Sequence, residues 1–437
     1  MIQQSISPPR AGAPKQVCPQ CQAPIPANPD FVSWCDQCNW NLKLDHVPQP
    51  KSAIEAFYLK LSQRLSRELF EGMAADPVTM PRPAASTVLA LGVAALVQLG
   101  TVLLTVLGLV LLAQDWPNLV LITIGLLCLG IAWLIRPQLG KLPSDIAPPQ
   151  DFPTLYAITN RIAAHLGAAP IRAIVVDRNF NASFQQVGLR RQPVITVGLP
   201  LFAILSPQEQ VAILAHEVAH GVNGDPLRGG FIGTAVGTLM RWNALLRPDG
   251  ELPWSSDGTG SGFIAFISTI VSRLVMQVLS VGPWLAGYAL THLLWRDSQR
   301  AEYLADILAA RASGTAAMLS ALEKLHYVGT FLHTVQRLAV GRGGDAPREL
   351  VPALRQRVAA LPEHEIERLR RLELLDNSRL DTTHPPTAYR VRYLQAHAIT
   401  EPAVQLSDEE AVRLERELLS LQPRLQRELV DEYRNHL

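Results

Sequence analysis

The stretch SPQEQVAILAHEVAHGVNG, residues 206–224, holds a complete helix start and the most informative pattern in the chain. Ser206 suits the N-cap, the proline after it suits the first helical position, and Glu209 completes a capping box. Apolar residues at positions 211, 213, 214, 218 and 219 give the helix a face that can be buried. Asn223-Gly224 is a typical left-handed helix end. The stretch therefore predicts a core helix that stops at residues 223–224.

Two histidines of this helix, His216 and His220, are four positions apart and so lie on one face. That spacing suits joint coordination of one zinc ion. Glu217 projects beside them, where it can act as general base toward a metal-activated water and then deliver the proton to the leaving amine. The alternative is a pair of hydrogen-bonded core histidines. The capped, apolar helix around the pattern favours the metal site.

A hydrolytic zinc site needs a third protein ligand and an open fourth position. The segment RAEYLAD, residues 300–306, offers Glu302 on a helix that the sequence ends at Ser313-Gly314. Asp306 follows one turn later on the same face, so it can accept the second N–H of a ligating histidine. On its own, such a pair of acids is usually a solvated helix face. Beside the histidine pair it predicts the remainder of a metal site.

Four of the five cysteines form two pairs near the start of the chain. Cys18 and Cys21 are followed, after thirteen residues, by Cys35 and Cys38. This spacing is close to that of a four-thiolate zinc site. The sequence predicts a zinc ribbon over residues 17–44 that holds one structural zinc ion, and a redox-active cysteine pair is the alternative. The ribbon either binds a protein partner or merely folds.

Two apolar runs without a charged residue, 84–113 and 116–135, are each about as long as the roughly 20 residues that cross a bilayer. They predict a transmembrane helical hairpin over residues 84–136, in preference to two buried helices of a soluble core. Asp115 is the charge in the link, whereas arginines and a lysine flank the hairpin outside. By the positive-inside rule, both flanks lie in the cytoplasm.

Two further apolar segments, residues 229–246 and 263–295, separate His220 from Glu302 and carry one arginine each. Because these ligands must meet on one ion, the chain between them crosses the membrane either twice or not at all. The acidic link between the segments favours a second hairpin with its loop on the far side. The alternative is a pair of amphipathic helices that lie against the membrane and form a substrate cleft.

The remaining organisation follows from local patterns. A formal charge of +1 and a pI near 7.8 give no global basic field, so no nucleic-acid partner is expected. An amphipathic helix over residues 51–72 either lies on a membrane surface or docks on protein. The other assignments are a disordered lead (1–16), short strands (171–177 and 193–198), a catalytic domain (150–400) and a C-terminal helical tail (401–437).

The order of the motifs resembles that of the HtpX-type zinc metallopeptidases, relatives of the CAAX prenyl endopeptidase. The resemblance covers roughly residues 85–395. It rests on HEVAHGVNGD at 216–225, on Glu302 with Asp306, and on THPP at 383–386 with Arg390. It implies a gluzincin-like, mostly helical catalytic domain on the cytoplasmic side, and a role in cleaving membrane or misfolded proteins.

The same resemblance assigns two more site residues. It implies that His384 stabilises the oxyanion, although a histidine before two prolines is equally compatible with a rigid turn that exposes the ring. It also implies that Asn181 binds substrate on an edge strand. Family members usually have Asn-Ala-Phe there, whereas this chain has NASF at residues 181–184.

The expected fold is mainly α with a small β-sheet, combining a gluzincin-like metallopeptidase domain, membrane hairpins and an N-terminal zinc ribbon. The expected function is a membrane-anchored zinc endopeptidase of the inner or plasma membrane, with one catalytic and one structural zinc. Its expected partners are protein or peptide substrates, the lipid bilayer and a protein that binds the ribbon. The alternatives are a catalytically silent membrane adaptor, which Glu217 disfavours, and a zinc hydrolase of non-peptide bonds.

Overall fold

The structure is a computed structural model that describes residues 15–26, 28, 31–42, 64–73, 85–137, 140–223, 231–247, 263–341, 348–376 and 385–436. Its strands are β1 (Lys15–Val17), β2 (Pro24–Pro26), β3 (Ala173–Asp177), β4 (Ala182–Val187) and β5 (Gln192–Gly198). Its helices are α1 (residues 64–73), α2 (Ala85–Ala113), α3 (Leu119–Ile135), α4 (Pro153–Leu166), α5 (Leu199–Ile204), α6 (Pro207–Ala219), α7 (Phe231–Leu246), α8 (Phe263–Leu293), α9 (Trp295–Ser313), α10 (Thr315–Leu325), α11 (Val328–Val340), α12 (Leu350–Ala359), α13 (Glu363–Asp376), α14 (Thr387–Ala396), α15 (Asp408–Leu419) and α16 (Gln422–Asn435). The predicted mainly α fold with small sheets is confirmed.

The ribbon begins earlier than the sequence predicted. β1 starts at Lys15, inside the lead predicted to be disordered over residues 1–16, because it pairs with β2 in antiparallel register. Residues 1–14 of that lead lie outside the described residues. Two chain reversals after the cysteine pairs then bring the four thiols together, with Gln22 and Asn39 at positive φ.

A three-stranded sheet of order β3-β5-β4 lies beside the helical core. β3 and β5 are parallel and correspond to the two predicted strands, whereas β4 is antiparallel to β5 and forms the edge. The loop before β4 runs close over Gly198, where a Cβ atom would collide with the carbonyl oxygen of Asn179. This glycine therefore lets the loop close against the end of β5.

The main hydrophobic core lies between the sheet and helices α4, α6, α9 and α10. α4 ends at Leu166 and is capped by Gly167, whose φ of 69° is left-handed. The predicted C-terminal tail packs on this core: the Glu417 carboxylate of α15 accepts hydrogen bonds from the amides of Thr154 and Leu155 at 2.8 and 2.9 Å. The Glu417 carboxylate thus lies at the N-terminus of α4, where it accepts hydrogen bonds from two amides that have no partner within the helix. Its negative charge also interacts favourably with the helix dipole.

Helices α2, α3, α7 and α8 form an apolar bundle beside the main core. α2 and α3 pack closely where Gly108 faces Gly125, since a Cβ on either would meet the other's carbonyl oxygen at about 3 Å. Two helices, Ala85–Ala113 and Ile270–Leu293, are long and apolar enough to span a membrane. Their side chains are widely exposed, so they present an apolar surface of the kind that contacts lipid.

The described part of the predicted amphipathic helix, α1, docks on protein. Phe70 stacks on Tyr389 of α14 at a ring separation of 4.9 Å, and Met73 is 5% exposed in the main core. The aliphatic and aromatic face of α1 is thus covered by the main hydrophobic core. Of the two interpretations of this helix, these contacts favour docking on protein.

The ribbon docks on α13, far away in sequence. Trp34 is fully buried, stacks on His364 with a ring separation of 4.7 Å, and donates from its indole nitrogen to the His364 carbonyl at 3.2 Å. The His364 ring in turn donates to the Trp34 carbonyl at 3.2 Å. Arg371 donates to the Asp36 carbonyl and to Asn39 Oδ1, the latter at 2.9 Å. These contacts fix the ribbon against the helical domain.

Candidate metal centre and active site

The first turn of α6 is anchored by a buried carboxylate. Ser206 and Glu209 form the predicted capping box, with the Ser206 amide donating to Glu209 Oε2 at 2.6 Å. The same carboxylate accepts hydrogen bonds from Lys324 at 2.7 Å and Ser320 at 2.5 Å. Burial alone would raise the pKa of Glu209, but these donors lower it below its ordinary value. α6 is thereby fixed to α10 at its N-terminal end.

The C-terminal end of α6 comes earlier than predicted. The helix ends at Ala219, with His220 as its cap, and residues 220–223 continue as tight turns. The sequence placed the end at Asn223-Gly224; Gly224 lies outside the described residues. Asn223 is 1% exposed and donates from its side chain to the Ala301 carbonyl of α9 at 2.7 Å. This hydrogen bond to another helix holds the turn in place. Local sequence patterns cannot reveal a partner so distant in sequence.

The three predicted zinc ligands meet between α6 and α9. His216 Nε2 and His220 Nε2 are 3.3 Å apart, and each lies 3.5 Å from an oxygen of Glu302. Tetrahedral zinc with bonds of about 2.0–2.1 Å places neighbouring ligand atoms about 3.3 Å apart. The observed separations fit that geometry. All three residues are buried, and they form a group that could hold a metal ion.

Asp306 and Arg390 support the first histidine. Asp306 Oδ1 lies 3.0 Å from His216 Nδ1, and Arg390 of α14 donates to both oxygens of Asp306 at 2.6 and 2.7 Å. Burial alone would raise the pKa of Asp306, but Arg390 and His216 lower it. Burial would also lower the pKa of His216, yet Asp306 and Glu302 raise it to about 9. The arrangement fixes the His216 ring with Nε2 directed to the candidate metal position.

Glu217, the predicted general base, lies on α6 and is 5% exposed. The edge strand comes close to the turn that follows, because a Cβ on Gly221 would lie 2.9 Å from the ring of Phe184 in β4. A glycine at this position lets the strand approach the histidine helix. Among the described residues β4 is the edge strand of its sheet, so an extended peptide could add to it beside the turn that follows the histidine helix.

The two site residues implied by resemblance both remain predictions. Asn181 is exposed just before β4, and its backbone carbonyl accepts a hydrogen bond from the Gly198 amide at 2.8 Å. Its position at the sheet edge is compatible with substrate binding, and that role stays a prediction. His384 lies outside the described residues, so its predicted role stays untested.

The four cysteines form a second cluster. Cys18 Sγ and Cys38 Sγ are 3.6 Å apart, and Cys21 Sγ and Cys35 Sγ are 3.5 Å apart. Zinc bound tetrahedrally by sulfur at about 2.3 Å gives neighbouring sulfurs about 3.8 Å apart, close to these values. Although burial raises it, the amides of Cys21 and Gln20 lower the pKa of the Cys18 thiol to about 7. The predicted four-cysteine cluster is confirmed as a group that could hold a metal ion.

Comparison with known families identifies the part of the chain that contains the histidine and glutamate cluster. The sequence profile described as peptidase family M48 matches residues 149–398, which include α6, α9 and α14. The chain belongs to peptidase family M48. The M48 region contains the His-His-Glu cluster and leaves out the ribbon, which fits the interpretation of the ribbon as an added module.

Curated relatives point to the same group within the family. Protease HtpX of Stutzerimonas stutzeri and that of Pseudomonas aeruginosa are each 32% identical over 139 residues, which are 31% of this chain and 44% of each relative. Protease HtpX of Pseudomonas putida is 31% identical over 137 residues. The chain thus spans less than half the length of the curated relatives it matches. No solved structure matches. The predicted resemblance to the HtpX-type peptidases is confirmed.

Three supporting residues of the M48 site were not given a role by the sequence. Glu209 was assigned only to the capping box, Arg390 was part of the motif order without a function, and Asn223 was interpreted as a helix end. Their partners lie on other helices, between 78 and 115 residues away in sequence. The one available signal was Arg390, an arginine near the late His-Pro segment.

Proposed function

We propose that the chain is a membrane-anchored zinc endopeptidase that hydrolyses peptide bonds of membrane or misfolded proteins. The observation that carries the proposal is the buried His216-His220-Glu302 cluster, whose separations of 3.3 and 3.5 Å suit one tetrahedral ion with an open position. M48 membership and similarity to proteases named HtpX support it. Two nitrogens and one carboxylate form the donor set typical of catalytic zinc, whereas the four thiolates suit a structural zinc.

Each residue has a defined task in this mechanism. Zinc, when bound, supplies the charge that acidifies a water molecule and polarises the scissile carbonyl. The Glu217 carboxylate accepts the proton of the attacking water and then delivers it to the nitrogen of the departing amine. Asp306 accepts a hydrogen bond from the His216 Nδ1–H group and keeps that ring oriented, and Arg390 keeps Asp306 ionised. His384 is proposed to stabilise the oxyanion, and Asn181 with the β4 edge to align the substrate backbone.

The anchor is the α2–α3 hairpin. α2 has 29 residues and no charged side chain, and the arginines and lysine that flank the hairpin predict that both ends face the cytoplasm. Thr87 near the start of α2 donates to Asp297 of α9 at 2.8 Å, so the hairpin contacts the helix that carries Glu302. The catalytic cluster therefore lies close to the membrane face, which suits substrates that are themselves in or near the bilayer.

The principal experiment replaces Glu217 with glutamine in the detergent-solubilised chain. Zinc content should be unchanged, because His216, His220 and Glu302 remain, while cleavage of a casein-like substrate should be lost because no carboxylate accepts the proton. Glu415→Gln removes a half-buried carboxylate of α15 that pairs with Arg355; it serves as the matched control and should keep both zinc and activity. Retained cleavage by Glu217→Gln would reject the mechanism. Proteomic comparison of cells with either form would then identify substrates.

The second experiment concerns the chain between His220 and Glu302. Trp242 near the end of α7 donates to the Ile135 carbonyl at 2.8 Å, and Arg136 follows on the flank predicted to be cytoplasmic. α7 has 16 residues, which is about 24 Å and shorter than the roughly 30 Å of a bilayer core. These observations favour the alternative in which the chain between His220 and Glu302 does not cross the membrane. The charge pattern of the sequence had favoured a second membrane hairpin instead.

A cysteine placed at Ser256, in a variant with Cys128 replaced, tests this topology with a membrane-impermeant thiol reagent on intact cells. We expect protection until the membrane is opened. A cysteine at Gln114, in the link of the α2–α3 hairpin, is the control that should be labelled from outside. Labelling at position 256 in intact cells would establish the second hairpin instead.

A further inference from the structure

The loop between β3 and β4, residues 178–181, leads directly into the edge strand and is held from two sides. On one side its backbone closes over Gly198 at the end of β5, where the Gly198 amide donates to the Asn181 carbonyl at 2.8 Å. On the other side Phe180 is half-buried and stacks on Phe331 of α11, with ring centroids 5.4 Å apart. Because β4 begins immediately after this β3–β4 loop, the position of the loop sets the position of the strand.

A third support for the β3–β4 loop comes from the last helix, α16. Arg178 at the start of the loop donates from Nε to Glu432 at 2.8 Å, and its guanidinium lies 3.6 Å from Glu428. The two glutamates are four positions apart, so they lie on one face of α16 and approach the same arginine. All three side chains are partly exposed, so each ion pair alone is weak. Together with the Phe180 stack, the two pairs fix the loop along its length.

α16 is itself fixed to the helical core. The Leu350 amide at the start of α12 donates to Gln426 Oε1 at 2.8 Å. Tyr433 packs against the apolar cluster that contains Phe331, so α16 also contacts the surroundings of the ring that receives the loop. The helix therefore presents its two glutamates to the loop from a fixed position. It lies outside residues 149–398, the region that the M48 profile matches, so family membership assigns it no role.

The pairing of β4 with β5 decides which backbone groups of the edge strand are directed away from the sheet. In an antiparallel pair, residues bonded to the neighbouring strand alternate with residues whose N–H and C=O groups point the other way. The bond from Gly198 to Asn181 fixes this alternation. The residues of β4 that direct their backbone groups outward are thus Ala182, Phe184 and Gln186. Pro193 lies opposite one of them, in agreement, because proline has no N–H to donate to β4.

We propose that α16 and the β3–β4 loop position the edge strand for an extended substrate, with Arg178 and Phe180 as the positioning residues. The inference rests on the proposed function, because it concerns a peptide that adds to β4 and is cleaved at the histidine cluster. Such a peptide bonds to the outward N–H and C=O groups of β4, and those bonds form only within a narrow range of distances. A strand that is already held in place lowers the entropy lost on binding. The tail therefore acts on substrate binding and leaves the chemical step to the metal cluster.

The principal test is Arg178→Gln in the full chain in detergent, with fluorescein-labelled β-casein as the probe. The KM for casein cleavage should rise about three- to fivefold, the size expected when two partly exposed ion pairs are lost, while kcat stays within about twofold. Fluorescence anisotropy of the same probe, with Glu217→Gln added to prevent cleavage, should show an equal loss of affinity. Arg413→Gln breaks an exposed ion pair within α15 and is the matched control, which should change neither quantity.

Further variants identify the contacts that matter. Arg178→Glu should raise the KM more than Arg178→Gln does, and adding Glu428→Arg with Glu432→Arg should restore it, because the attraction is then rebuilt with opposite signs. Phe180→Ala should raise the KM about tenfold by removing the ring stack. Hydrogen exchange of residues 178–187 should be faster in Arg178→Gln while exchange in α6 stays unchanged. This last measurement reads the coupling without any cleavage.

The outcomes separate this inference from the proposed function. Absence of casein cleavage by wild type would reject the proposed function, and this inference with it. If wild type cleaves casein, an unchanged KM in Arg178→Gln overturns the positioning role alone. A fall in kcat at constant KM would overturn it as well, because the loop would then act on the chemical step. An equal effect of Arg413→Gln, or a charge reversal that does not restore the KM, would show that the contact between Arg178 and α16 is not responsible.

Discussion

The two candidate metal clusters are built in opposite ways. The four cysteines come from short loops beside three-residue strands, and one of them, Cys21, is exposed. The histidines and Glu302 come from two core helices, and each of the three is at most 5% exposed. Asp306 and Arg390 form a further layer behind His216. Four thiolates alone complete a tetrahedron, whereas a three-ligand site depends on a rigid scaffold to keep its fourth position open.

The largest expected difference between the clusters is in catalysis. Wild type should hold two zinc ions per chain, and Glu302→Gln and the double variant Cys18→Ser with Cys21→Ser should each hold one. Loss of the catalytic ion removes several kcal/mol of transition-state stabilisation, so Glu302→Gln should lower proteolysis at least about a thousandfold. The cysteine double variant should retain its proteolytic activity. Metal analysis of purified protein with a peptidase assay measures both, and one zinc in wild type would contradict the comparison.

The next effect concerns the layer behind the histidine, which the cysteine cluster lacks. Arg390→Gln leaves the buried Asp306 without its strongest partner, so zinc affinity at the histidine cluster should fall about 10–100-fold. The free energy of unfolding should fall by about 3–5 kcal/mol. Competition with a zinc chelator and urea denaturation measure the two changes. Arg161→Gln, which breaks the partly exposed pair with Glu410, is the control and should change neither by more than about 1 kcal/mol.

The smallest effect is a pH dependence of stability. The folded protein raises the pKa of His216 to about 9 from an ordinary value of 6.5. When a chelator keeps the site metal-free, protonated His216 therefore contributes fully to the free energy of unfolding below pH 6.5. That contribution is lost as the pH rises through 9. The pKa of Asp306 is lowered, so this carboxylate stabilises the folded protein at any pH above its ordinary pKa. That stabilisation is lost as the solution becomes acidic. In the cysteine variant, the melting temperature with chelator should fall from pH 6.5 to 9.

Zinc reverses that trend, because a ligating imidazole must be neutral and a higher pH removes the competing proton. The difference in melting temperature between zinc and chelator should therefore widen up to about pH 9. Differential scanning fluorimetry over this range is sufficient. A difference that stays constant with pH would mean that no proton leaves when zinc binds, contrary to the geometry of Asp306 and His216.

Short-range patterns explain what the sequence could predict. The capping box at Ser206, the glycine end of α9, and the paired cysteines each involve residues within a few positions of one another. Each of these features is present in the structure. The predicted α2–α3 pair is present for the same reason. An uncharged apolar run of this length is a local pattern that is typical of a membrane-spanning helix.

Long-range pairings explain what it could not predict. β4 has no strong strand pattern of its own: only the family resemblance implied an edge strand at Asn181, and the strand forms by pairing with β5. The end of α6 at Ala219 depends on a bond from Asn223 to α9. The ion pair between Glu209 and Lys324 and the docking of Trp34 on α13 join residues 115 and 330 positions apart. No local periodicity encodes such partners.

The contact between Trp34 and His364 also sets an order for biosynthesis. The ribbon is made before α13, and its docking surface follows 330 residues later. At about 5–20 residues per second, roughly 15 to 65 seconds of translation separate the two halves of this interface. During that interval the α2–α3 hairpin can enter the bilayer while the ribbon's tryptophan face stays uncovered. A chaperone that shields one indole and its neighbours for about a minute would therefore protect the nascent protein until α13 arrives.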